Sequence, residues 1–196
     1  MRAILVMFSV VVLAVLGSAP VASAQGGYGS YSSLSVKEFR NLAESLPELP
    51  GRIQALRLFQ GTIGQQASVA IATLGEKTGW RLFVFASNSG KHFRLEWKSG
   101  KLPYTFAVAD PAALRLFDFG NEVGVEFSGC APHSCGGGPS AVFSVLLYVP
   151  SKRTAFMATY SLDKVTYSEN LKIKGNERYK GALEQLVKEY ADDNGP

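Results

Sequence analysis

The chain has 196 residues, of which 46% are hydrophobic and 18% charged, which is too apolar and too weakly charged for a disordered polypeptide. The length suits one domain, or a domain plus an extension, around a substantial core. The 20 glycines are scattered without a three-residue period, which excludes collagen, and no repeat of solenoid length is present.

The N-terminus carries a leader pattern. Arg2 precedes an apolar run from Ala3 to Leu16, followed by Gly17-Ser18-Ala19-Pro20 and the small-residue signature Ala22-Ser23-Ala24. This predicts a signal peptide over residues 1–24, cleaved before Gln25, and a periplasmic mature protein. The apolar run is short for a bilayer span, which needs about 20 residues, and no later stretch is long enough, so no membrane association is expected after cleavage. Loss of Arg2 lowers the formal charge from +4 by one unit. Residues 25–33, rich in Gly, Tyr and Ser, read as a flexible leader.

Residues 34–88 read as an N-terminal extension, mainly helical. Ser35 and Glu38 form a capping-box pattern, with Val36, Phe39, Leu42, Ala43 and Leu46 at helical spacing until Pro47 and Pro50. Ile53, Leu56 and Phe59 continue at helical spacing. Val69 to Leu74 fits helix or strand, and Trp80 to Ala86 reads as a strand. In 92–97, Phe93, Leu95 and Trp97 alternate as in a strand, while one helical turn would also bring Phe93 beside Trp97. Trp80 and Trp97 are expected as core anchors.

The segment 113–160 is the most regular. Residues 113–119 form a strand, Gly120-Asn121 a turn, and Val123, Val125 and Phe127 alternate with Gly124, Glu126 and Ser128 as in a half-buried strand. Ala141 to Val149 is continuously apolar, the mark of a strand buried on both faces. Pro150 to Arg153 is a turn and Thr154 to Tyr160 a further strand. Near the C-terminus Tyr179, Leu183, Leu186, Val187 and Tyr190 share one helical face. The predicted class is α+β: an antiparallel sheet of about five strands with helices packed on one face, plus the N-terminal helical extension.

Signatures of common catalysts are missing. There is no phosphate-binding loop, no dinucleotide fingerprint, no His-Glu-x-x-His, no Gly-x-Ser-x-Gly and no nucleic-acid motif. The chain is expected not to be an enzyme and to need no cofactor. Its two histidines are His92 and His133, and its two cysteines, Cys130 and Cys135, stand four residues apart. In an exported chain this even pair reads as one disulfide ring, with free thiols as the alternative. Zinc would want four ligands and a redox dithiol has two intervening residues, so neither is expected. Closing so small a ring removes roughly 2 kcal/mol of unfolded-chain entropy on the loop-closure model. With Pro132 it would hold His133 out from the sheet edge in one direction. Such a loop suits either insertion into a partner or the plain stapling of a hairpin.

The segment Cys130-Ala131-Pro132-His133-Ser134-Cys135 between two strands resembles the loop of the Ivy family, inhibitors of vertebrate c-type lysozyme. Lys101-Leu102-Pro103 before it and Tyr148 to Ala158 after it are similar to the family's flanks, and the likeness covers residues 89–196. It implies an α+β domain over 89–196 with a helix at 89–99, an exported inhibitor rather than an enzyme, and c-type lysozyme as the partner, with a possible homodimer. The target cleft holds two carboxylates about 5 Å apart. An imidazole has a nitrogen on each edge, and both donate when it is protonated, so the resemblance makes His133 the group that bridges them. It makes Cys130 and Cys135 structural and lets Pro132 set the approach. The family loop carries Lys after its first Cys and Asp or Asn before its second, where this chain has Ala131 and Ser134. A cationic chain also gains no steering toward a basic lysozyme. The alternative is an envelope module of the same fold that binds an endogenous peptidoglycan hydrolase or a glycan.

Overall fold

A computed structural model describes residues 27–28, 49, 52–60, 67–77, 79–89, 92–110, 113–118, 122–135 and 140–193. Among the described residues the first element is a two-residue strand, β1 (Gly27–Tyr28). Four strands follow in an antiparallel meander: β2 (Arg52–Gln60), β3 (Ala67–Gly75), β4 (Gly79–Ser87) and β5 (Arg94–Lys98). A second antiparallel sheet contains β6 (Leu114–Asp118), β7 (Val123–Cys130), β8 (Val142–Val149), β9 (Thr154–Ser161) and β10 (Lys164–Tyr167), with β1 on the outer side of β6. The chain then forms one long helix, α1 (Glu177–Asp193).

These elements stack as sheet, sheet and helix. Between the sheets, Trp80, Leu82 and Val84 of β4 meet Leu116, Val125, Phe127 and Leu146. Trp80 lies against Phe127 at 5.4 Å between ring centroids, and Trp97 stacks on Tyr148 at 4.6 Å, so both tryptophans anchor the core. The alternate residues of the second sheet, Phe143, Val145, Leu147, Phe156 and Ala158, face the apolar stripe Tyr179, Ala182, Leu183 and Leu186 of α1. The outer side of the first sheet carries Val69, Ile71, Phe83 and Phe85, against which Leu49, Ile53 and Phe93 pack.

The α+β class and the antiparallel strands agree with the expectation, but the layers do not. Where residues 34–88 were expected to be mainly helical, the described part from Arg52 to Ser87 is three strands; the helix expected at 35–46 lies outside the described residues. The expected boundary between residues 88 and 89 runs through the paired strands β4 and β5, and the two halves share one core cluster. Residues 94–98 are strand, not the helix implied for 89–99.

The error at β2 has a physical cause. A register shift lies between Ile53 and Ala55, so Ile53 and Leu56 stand opposite Thr73 and Ile71, which are two residues apart on β3. One extra residue in a strand turns a spacing of two into a spacing of three, which imitates a helix from Ile53 to Leu56. Leu56 and Phe59 stand opposite Ile71 and Ser68, three apart with no shift between them, so that second spacing has no such cause. β7 also departs from the half-buried reading, because Gly124, Glu126 and Ser128 are as buried as the apolar residues between them. Glu126 tolerates this by accepting from Arg115 Nη2 at 2.9 Å.

Candidate functional site

The site is built where β7 ends. Cys130 closes that strand and is bonded to Cys135, with sulfurs 1.95 Å apart and Cα atoms 5.1 Å apart. Ala131 donates its N–H to the Val142 carbonyl at 2.8 Å, and Val142 donates back to Ser134 O at 3.1 Å. The loop is therefore stitched to the start of β8 as well as closed by sulfur.

Within the ring, Ser134 N–H reaches Ala131 O at 3.0 Å, closing a four-residue turn around Pro132 and His133. Proline at the second place and a left-handed residue at the third are the features of a type II turn. His133 is that third residue, with φ at 64°, in a region that costs an L-residue roughly 1–2 kcal/mol. Cys130 and Ala131 are buried, Pro132, Ser134 and Cys135 half-buried, and His133 exposed. Cys135 packs against the helix-side core. The arrangement leaves the imidazole as the exposed polar tip of a loop whose base is sunk in the protein. The other histidine, His92, is also exposed but lies on the approach to β5, remote in the chain from any ring or turn of this kind.

The base is braced from the opposite side. Val108 and Cys130 exchange two backbone hydrogen bonds, of 3.0 Å and 2.8 Å. A Cβ placed on Gly129 would stand 3.0 Å from Phe106 Cα and from Val108 O, so glycine is what lets the Tyr104–Val108 segment lie this close. Hydroxyl contacts join Thr105 to Ser144 at 2.6 Å and Ser144 to Thr159 at 2.7 Å, tying that segment across β8 to β9. Lys101-Leu102-Pro103 leads into it. This stretch borders an open cavity of about 790 Å³ whose walls include Arg52, Trp80, Lys101 and Tyr104.

All six residues expected in the loop are thus together, and the disulfide pairing is present. The neighbours carry no local signal. Val108 had no motif around it, and the turn Leu162-Asp163 lacks the glycine or asparagine that would have marked a hairpin there. Among the described residues no group of three or more His, Cys, Asp and Glu is placed to hold a metal ion, and no helix is long and apolar enough to cross a membrane. Compared with known protein families, curated proteins and solved structures, the chain matches none significantly.

Proposed function

We propose that the protein is an exported inhibitor of c-type lysozyme that inserts the Cys130–Cys135 loop into the active-site cleft and sets His133 between the two catalytic carboxylates. The observation that carries this reading is the placement of His133: exposed, held in a left-handed turn, on a ring stitched to two strands. A loop ordered before binding loses little entropy on docking, so more of its contact energy appears as affinity. An imidazole between two carboxylates can donate from both ring nitrogens, which occupies the groups that the enzyme needs for proton transfer and attack. Ala131 is buried and Ser134 half-buried, so within this turn the imidazole is the group that reaches outward.

The test is a lysozyme turbidity assay with the purified chain. Wild type is expected to slow clearing of a cell suspension, and His133→Ala is expected to remove that effect while circular dichroism and thermal melting stay near wild type. Unchanged inhibition by a folded His133→Ala variant would refute the mechanism.

A further inference from the structure

The register of the second sheet places another loop beside the disulfide ring. Val142, which is bonded to both Ala131 and Ser134, pairs with Ser161 on its other side. Ser161 pairs with Lys164, so Leu162 and Asp163 are a two-residue hairpin turn at the same end of the sheet. Two inter-strand spacings, or about 10 Å, separate this turn from the ring. On the ring's opposite side lies Val108, bridged to Cys130.

Both neighbours expose apolar side chains. Leu162 is 75% exposed and Val108 47%. Leu162 is also strained. Its φ is 51° and that of Asp163 is 58°, the pattern of a type I′ turn, whose usual occupants are Asn, Asp and Gly. A γ-branched aliphatic residue there loses stability and gains no burial within the chain. Backbone strain held at an exposed position is an outlier that points to a use outside the fold. Tyr160 braces the turn by donating its hydroxyl to Asp163 Oδ1 at 2.7 Å.

We infer that Val108 and Leu162 are the two apolar shoulders of the docking surface, gripping the lips of the target cleft on either side of the His133 loop. This rests on the proposed function and names what that reading lacked. A cationic chain gains no long-range attraction to a basic lysozyme, and Ala131 and Ser134 offer few polar contacts within the loop. Aliphatic surface that is exposed in the free chain and removed from water on docking supplies affinity without depending on charge.

The experiment measures inhibition constants against c-type lysozyme for Leu162→Asn, Leu162→Met and Val108→Thr. Ile173→Asn is the control, an exposed apolar residue three positions after Asn170, whose side chain donates to Ala155 near the opposite end of β9. Leu162→Asn is expected to melt at or above the wild-type temperature yet inhibit about tenfold less well, the loss of roughly one buried aliphatic contact. Val108→Thr is expected to weaken inhibition a few-fold, while Leu162→Met and Ile173→Asn keep wild-type potency. Wild type that inhibits, with Leu162→Asn equally potent, overturns this inference alone. Wild type that does not inhibit lysozyme overturns the proposed function and this inference with it.

Discussion

His133 adopts a backbone conformation that glycine would hold at less cost, so imidazole chemistry and chain stability pull in opposite directions at this position. Replacing it with Gly removes the strain, roughly 1–2 kcal/mol, and adds unfolded-chain entropy worth about 0.4–1 kcal/mol. The net expectation for His133→Gly is a stability equal to wild type or up to about 1.5 kcal/mol higher, together with lost inhibition; urea denaturation and the turbidity assay measure the two sides. A variant that is less stable would mean that the imidazole holds the loop together rather than serving a partner. At this scale much of the site was legible. Two cysteines at short range, a proline and a histidine are local facts, and a small covalent ring leaves few ways to arrange them. The left-handed turn at His133 was not legible, because it depends on the Ala131–Ser134 hydrogen bond and the pairing of both residues with Val142.

Among the elements, α1 is fastened to the sheet end remote from the disulfide loop. Arg178 Nη2 donates to Glu122 Oε2 at 2.6 Å, and Ser151 Oγ also donates to that carboxylate. Glu122 is nearly buried while the Arg178 side chain is 55% exposed, so solvent screens the cation more than the anion. Truncating the arginine leaves a mostly buried carboxylate short of a donor, and Arg178→Ala is expected to cost about 1–2 kcal/mol in urea denaturation. Glu122→Gln, which removes the charge along with the pairing, is expected to cost less. The strands from β6 to β9 were readable from their alternation and apolar runs, and α1 from its stripe. β2 was not, since the register shift near Ile53 disguised its period, and β10 was not, since Leu162-Asp163 carries no turn signal.

For the molecule as a whole, stacking a sheet and a helix on the two faces of the second sheet buries aromatic groups that would otherwise ionise in alkali. Burial, with a smaller push from Glu96, raises the Tyr148 phenol well above its usual value, and burial raises that of Tyr190. Tyr167 is pushed up to about 12, first by burial and then by Glu184, to which it donates at 3.3 Å. Above pH 10, the ordinary phenol value, the unfolded chain has released protons that the folded chain retains, so stability falls as pH rises. The contribution is whole below about pH 10 and is lost as pH climbs through the folded values, near 12 for Tyr167. The urea midpoint is therefore expected to drop between pH 9 and pH 11, and to drop less in Tyr167→Phe. An equal drop would assign the alkaline loss to other groups.

The amino-acid sequence alone determined the α+β class, the central strands and the content of the Cys130–Cys135 loop, because periodicity, apolar runs and short cysteine spacing are properties of neighbouring residues. The first sheet, with its strand at 94–98, and the placing of Val108 and Leu162 beside His133 were decided by tertiary structure. Whether a short apolar segment becomes helix or strand depends on the ladder offered by a distant partner, and which loops share a sheet end depends on register. Neither is encoded within the few residues concerned.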